Sequence, residues 1–300
     1  MFKRFFAYTE IKTKITSVFA FLMSIAFIFY KRQQINWKAT SVFFVSMLVF
    51  DLTTTAINNY IDTKTNDQTL QYQRGRARGI IYVLLGISTA AGLYLAYMTD
   101  VVVLLLGGLC FACGILYTYG PVPISRQPLG EILSGIFYGL FIPFILLYIN
   151  MREGTFLTFR PGWERIDIGL MVMPLISVIL LSVPPACSTA NIMLANNICD
   201  LEKDIMHKRY TLPYYLGRKS LKLFAALYYA VYAAVILMTA LRILSPVCLL
   251  FLLTIFIVQK NIKIFMKKQE KSTTFIIAIK NYIIIMSSLT ALIFISAFTG

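Results

Sequence analysis

The chain reads as an all-α protein: a multi-pass transmembrane bundle of about nine helices forming a single domain over residues 1–300. Three observations predict this. Of the residues 58% are hydrophobic and 14% charged, with a mean hydropathy of +0.74, whereas soluble domains carry charge on about 25% of residues. The apolar residues gather into runs long enough for a hydrocarbon core of about 30 Å, which takes about 20 helical residues. Basic residues fall between these runs, in segments alternately rich and poor in Lys and Arg.

The first run, residues 17–30, follows a basic, aromatic tail and ends at Lys31-Arg32. A signal peptide would end at a small-residue cleavage site, so this run is read as a span. Further spans are predicted at 39–60, 79–98, 101–119, 129–149, 168–198, 220–241, 244–260 and 274–298. In the fifth, Gly135 and Gly139 form a G-x-x-x-G pair of the kind that lets two helices approach closely. The sixth is long and contains Pro184-Pro185, which should kink it, because proline lacks a backbone donor and collides with the preceding turn.

With the amino terminus inside, 18 of the 28 Lys and Arg residues fall in inside segments and 7 in outside loops, Lys222, Lys260 and Lys280 lying within spans. The positive-inside rule then places the amino terminus on the cytoplasmic side of a cell membrane. The same distribution explains the net charge of +15 by topology and by contact with an anionic lipid bilayer. No soluble basic domain remains to bind nucleic acid. Cys110 and Cys113 form a C-x-x-C inside an apolar run, and His207 is the only histidine. These features exclude a zinc cage and a histidine relay.

Two stretches carry chemistry. Asn58-Asn59-Tyr60-Ile61-Asp62 closes the second run and Asn196-Asn197-Ile198-Cys199-Asp200 closes the sixth, 138 residues later. Both read N-N-x-x-D. The first continues to Lys64, Asp67, Arg74, Arg76 and Arg78, and the second to Lys203, Asp204, Lys208 and Arg209. On a helix, positions i, i+3 and i+4 share a face, so each pair of asparagines lies beside its aspartate and Asp204 extends the second patch by one turn. Asp51 and Thr55 carry the first stripe back into its span, where an ionisable group points to function. Such oxygen donors suit Mg²⁺, which binds through one or two carboxylates plus substrate phosphates. Two acidic stripes facing each other repel unless a cation joins them. A diphosphate would then be held by that cation and by the flanking Lys and Arg, with its hydrocarbon tail among the helices.

The matched stretches also predict two pseudo-repeated halves, about 15–149 and 168–298, parallel because both motifs close even-numbered spans. A third segment, from Tyr117 and Tyr119 through Gly120-Pro121-Val122-Pro123 to Arg126 and Leu129-Gly130-Glu131, is a fixed loop on the same predicted side. Its tyrosines could face a developing carbocation, and Arg126 could pair with a carboxylate.

At these residues the chain resembles the UbiA superfamily of intramembrane aromatic prenyltransferases, and within it the branch acting on 1,4-dihydroxy-2-naphthoate. The resemblance runs from Glu10-Ile11-Lys12-Thr13 through the last spans. The family's first motif, N-D-x-x-D with a further acid, falls on Asn58, Asn59, Asp62 and Asp67. Its second, N-N-x-x-D-x-x-x-D, falls on Asn196, Asn197, Asp200 and Asp204, followed by Thr211-Leu212 and Leu216-Gly217. Its Y-x-x-G-P-x-P segment ending in L-G-E falls on Tyr117 to Glu131. Asn59 stands where the family usually has Asp, so Asn59→Asp is expected to be tolerated if that position is a metal ligand. Lys208-Arg209-Tyr210 replaces a Gly-Lys-Arg-like run, which gives Arg209 the phosphate.

The resemblance implies Mg²⁺ held by these eight Asn and Asp residues, with Asp62, Asp200, Asp204, Tyr117 and Arg126 at the reacting groups. Lys64, Arg74, Arg76, Tyr119, Lys208, Arg209 and Glu131 would contact substrates. It implies transfer of a polyprenyl group from its diphosphate to an aromatic acceptor, dihydroxynaphthoate, with loss of the carboxylate as carbon dioxide, as in menaquinone biosynthesis. Other acceptors (4-hydroxybenzoate, haem, a glyceryl phosphate) and a non-catalytic membrane carrier are the alternatives.

Overall fold

A computed structural model describes residues 2–64, 69–120, 123–162, 164 and 166–299. Helices are α1 (Phe2–Tyr8), α2 (Ile15–Tyr30), α3 (Trp37–Asp62), α4 (Arg74–Met98), α5 (Val101–Leu116), α6 (Gly130–Ile136), α7 (Ile142–Asn150), α8 (Val172–Cys199), α9 (Leu201–Met206), α10 (Leu212–Leu216), α11 (Lys219–Ala240), α12 (Ile255–Lys267) and α13 (Ile276–Thr299). Strands β1 (Leu157–Pro161) and β2 (Ile166–Leu170) precede α8. A 3₁₀ turn at Ile11–Lys14 leads into α2, a π-helical turn at Phe137–Phe141 joins α6 to α7, and a 3₁₀ stretch at Pro246–Thr254 leads into α12. Counted as continuous segments of the described residues, eight are long and apolar enough to cross a membrane, and the shorter α5 makes nine.

One local expectation is corrected. Residues 168–170 do not begin the sixth span: they lie in β2, antiparallel to β1, with Leu157 opposite Leu170 and Phe159 opposite Ile168. Ile166-Asp167-Ile168-Gly169-Leu170 alternates with the period of a strand, a pattern that average hydropathy does not register. α8 runs through Pro184-Pro185 as one continuous 28-residue helix. The G-x-x-x-G pair packs beside them. A Cβ on Gly139 would stand 2.3 Å from both Cα and N of Ala186, so only glycine lets the π-helical turn reach α8 at backbone distance.

The main core is built from α2, α7, α8, α11 and α13, with Met23, Leu146, Leu181, Tyr228 and Met286 fully enclosed. Large apolar side chains face outward on α4, α5 and α12, among them Tyr82, Val83, Leu105 and Phe256, as expected of a bundle whose solvent is lipid. A second cluster at one end joins Tyr8 to Ala56, Ile57, Ala77 and Ile81. Tyr8 donates its hydroxyl between the carbonyls of Ala56 (3.0 Å) and Ala77 (3.4 Å), tying the amino terminus to α3 and α4.

Asp51 is buried about 16 Å back along α3 from Asp62, at 1.5 Å per residue. It is fully partnered there. Its carboxylate accepts from Lys14 Nζ (2.8 Å), Tyr138 OH (2.7 Å) and Ser17 Oγ (2.7 Å). Lys14, only 4% exposed, also donates to the Asp51 carbonyl at 2.9 Å and to Thr55 Oγ1. Asp51 and Thr55, which the sequence alone marks as functional polarity, thus form a closed network that ties α3 to α2 and to the π-helical turn.

Candidate functional site

Asp62 ends α3, Asn196 and Asn197 lie in the last turn of α8, Asp200 caps α8, and Asp204 sits on α9. The chain must reverse after α9 to bring Arg209 back. Lys208 makes that reversal with a left-handed backbone, φ +56°, uncommon outside glycine. Arg209 then donates its backbone N–H to the Asp204 carbonyl (2.8 Å). Its Nε lies 3.6 Å from Asp204 Oδ1.

The 117–131 loop docks on this turn. The Tyr210 N–H donates to the Arg126 carbonyl at 3.1 Å, Arg209 Nη2 to the Ser125 carbonyl at 3.4 Å, and the Ser125 N–H to the Tyr117 carbonyl at 2.8 Å. Asp62 lies within electrostatic reach of both Arg209 and Arg126. The two motifs therefore meet at one end of the bundle, with Arg209 between them. Tyr117 faces the same charges, and burial pushes its phenol up to about 12, so it is a neutral ring and hydrogen-bond donor at working pH. Gly130 leaves it room, since a Cβ there would stand 3.0 Å from the Tyr117 hydroxyl.

Glu131 is buried, and its Oε1 accepts from Asn197 Nδ2 at 2.8 Å. Glu131 Oε2 and Asp204 Oδ2 are both buried without a hydrogen-bond partner, a costly state unless something else completes them. Burial raises the Asp204 carboxyl above the ordinary carboxylate range, and Arg209 opposes the shift. Asp200 is engaged by a residue the sequence reading missed: Lys271 Nζ lies 2.6 Å from Asp200 Oδ2 and also donates to Asn196 Oδ1. Its one sequence signal is the basic run at the end of α12.

Asn58 is half-buried in the last turns of α3. Asn59 donates its amide to the Tyr8 carbonyl (2.8 Å) and to Glu10 Oε1 (3.3 Å), so replacing that amide by a carboxylate opposes acceptor to acceptor. These contacts oppose Asn59→Asp unless a metal ion meets the new carboxylate. Arg74 caps α3, donating to the carbonyls of Tyr60 (3.1 Å) and Thr63 (3.0 Å). Lys64 lies over the Tyr60 ring at 5.1 Å. Arg76, Tyr119 and Lys208 are exposed, and Asp67 lies outside the described residues.

Residues 17–289 match the UbiA prenyltransferase family. The chain belongs to this family. A 1,4-dihydroxy-2-naphthoate octaprenyltransferase of Bacillus subtilis (strain 168) is 32% identical over 134 residues, which are 45% of this chain and 37% of that relative's length. Two solved structures share the fold. One, described as "Structural and mechanistic insights into the biosynthesis of Digeranylgeranylglyceryl phosphate synthase in membranes", has a TM-score of 0.67 at 14% identity, covering 100% of this chain and 99% of the other. The other, a UbiA homologue from Archaeoglobus fulgidus bound to DMAPP and Mg²⁺, has a TM-score of 0.62 at 14% identity, covering 99% and 98%.

The donors of this UbiA chain fit Mg²⁺ in kind. Among the described residues no three His, Cys, Asp or Glu side chains converge as a finished cage. What the site offers instead is hard oxygen only, including two orphaned carboxylate atoms. That set suits an ion that keeps several waters and draws further ligands from a bound phosphate.

Proposed function

We propose that this UbiA protein transfers a polyprenyl group from its diphosphate to 1,4-dihydroxy-2-naphthoate, with loss of carbon dioxide, as a step of menaquinone biosynthesis. One observation carries the reading: Asp62, Asp204, Arg209, Arg126, Tyr117 and Glu131, drawn from distant parts of the chain, converge at one end of an otherwise apolar bundle. A diphosphate head with an apolar tail matches that division. The Bacillus relative's name supplies the acceptor, and the Archaeoglobus structure binds a prenyl diphosphate with Mg²⁺.

Mg²⁺, held by Asp200, Asp204, Asp62 and the asparagines Asn58, Asn196 and Asn197, would neutralise charge on the departing diphosphate. Arg209 is placed to donate charge-assisted hydrogen bonds to the same oxygens, giving up its 3.6 Å contact with Asp204. Arg126 is placed beside Asp62 to receive the acceptor carboxylate, and the neutral Tyr117 ring to face positive charge at the allylic carbon. The apolar helices keep water from that carbon. The bond from the allylic carbon to the diphosphate oxygen breaks, and the new carbon–carbon bond replaces the acceptor's carboxylate.

We place this end of the bundle on the cytoplasmic side of a cell membrane, where phosphorylated metabolites and Mg²⁺ are available. Charge supports it: with the predicted spans, 18 of the 28 Lys and Arg residues fall in the segments assigned to that side. A cysteine placed at Thr69 should accordingly react with a membrane-impermeant reagent only from within; labelling from outside reverses the orientation.

The test of function is mass spectrometry of lipids formed by the purified protein from a panel of prenyl diphosphates and acceptors. Prenylated naphthol lacking the carboxylate is expected, and its absence when glyceryl phosphate is prenylated would favour the second reading. That reading draws on the full-length likeness to the digeranylgeranylglyceryl phosphate synthase structure.

A further inference from the structure

The turn between α12 and α13 is built around Glu270. Its N–H donates to Thr274 Oγ1 (2.8 Å), and its carbonyl accepts from the N–H groups of Thr274 and Phe275, each at 3.0 Å. Its carboxylate accepts from Thr273 Oγ1 (2.8 Å) and pairs with Lys268 (2.8 Å). This lattice aims Lys271 across the end of α8. The ammonium stands 4.7 Å from the centre of the Phe275 ring and reaches Asp200 Oδ2 and Asn196 Oδ1 together. The Lys271 side chain is 45% exposed and that of Asp200 25%, so the pair can open without unfolding anything. Asp204 Oδ2, one turn further along the same face, stays unpartnered. The ammonium therefore covers only part of a larger oxygen site.

We propose that Lys271 is a tethered cation that occupies the second motif until a divalent ion displaces it, and that it then pairs with the diphosphate held at that ion. The proposal rests on reading the motif as a metal site. A carboxylate and an amide carbonyl can accept from an ammonium or ligate Mg²⁺ with the same oxygen atoms, and the two cations compete for them. The divalent ion carries twice the charge and gains further ligands from Asp204 and water. The displaced ammonium remains held within a side-chain length by the 268–275 turn, beside the most anionic ligand the site receives. Lys271 is in this sense a positioning residue for the motif and a binding residue for the donor.

The experiment uses the full-length protein in detergent with Mn²⁺ as probe, free Mn²⁺ being counted by its electron paramagnetic resonance signal with no donor present. Loss of a half-exposed, charge-assisted pair should tighten Mn²⁺ binding about three- to tenfold in Lys271→Gln. With Mn²⁺ saturating, dimethylallyl diphosphate affinity should fall by a similar about three- to tenfold, and Lys271→Arg should keep it. Equal or weaker Mn²⁺ binding in Lys271→Gln overturns the displacement, and unchanged donor affinity overturns the transfer to diphosphate. If neither wild type nor Lys271→Gln binds Mn²⁺ at millimolar concentration, the metal reading falls and the proposal with it. Asp200→Asn separates the cases, since its Mn²⁺ affinity should drop whatever Lys271 does.

Discussion

Asn59→Asp inserts the residue that the family motif usually carries, and the structure says it destabilises this chain. The Asn59 amide nitrogen points at two acceptors, the Tyr8 carbonyl at 2.8 Å and Glu10 Oε1 at 3.3 Å. A carboxylate can donate to neither. The lost bond to the carbonyl is worth about 0.5–1.5 kcal/mol, and two carboxylates about 4 Å apart repel by about 1 kcal/mol in water-like surroundings, which apply here because Glu10 is exposed. Together these give about 1.5–2.5 kcal/mol, or a fall of about 3–10 °C in apparent melting temperature for a chain of this size. Thermal unfolding in detergent, followed by tryptophan fluorescence or circular dichroism, measures it. Adding Glu10→Gln should recover part of the loss, because a glutamine amide can donate to the new carboxylate. A variant that melts with wild type and turns over faster with Mg²⁺ would refute the reasoning and make position 59 a metal ligand.

Alanine at Asp62, Asp200 or Asp204 should each cost about 10²–10³ in turnover, the size of a lost electrostatic stabiliser; near-normal rates for Asp62→Ala and Asp200→Ala together would remove the metal clamp. Arg126→Ala should raise the acceptor's KM with little effect on the donor, and Arg209→Ala the reverse. Steady-state kinetics with each substrate varied decide it, and donor-only weakening in Arg126→Ala would assign the 117–131 loop to the phosphate. Lys14→Met leaves Asp51 buried without its cation and should cost about 3–5 kcal/mol. The double change Lys14→Met with Asp51→Leu should recover most of it in thermal unfolding, and no recovery would mean the pair does more than neutralise itself.

How much of this could be read in advance depends on the range of the interaction. Span number, the extents of the apolar helices and the placing of both N-N-x-x-D motifs at helix ends follow from sequence alone, because a bilayer requires each crossing segment to be apolar and helical. Helical periodicity likewise puts Asn58, Asn59 and Asp62 together. It does not say which way that face turns. Packing of α3 against α4 and the amino-terminal segment sends Asn59 to Tyr8 and Glu10, while Asp62 reaches Arg209 and Arg126. Arg126 stands alone in its stretch of sequence, yet its loop is bound to Arg209 and Tyr210. Asp51 looks exceptional until Lys14, 37 residues earlier, is seen to neutralise it. In each case the partner is chosen by the rotation and register of helices against one another. Those are set by close contacts such as Gly139 on Ala186: the G-x-x-x-G pair marks a close approach in the sequence, but not the helix it meets. Sequence alone determined a membrane-spanning helical protein with two acid-rich helix ends; only tertiary packing decided which cation each acid meets, because charge pairing depends on distance through space and not along the chain.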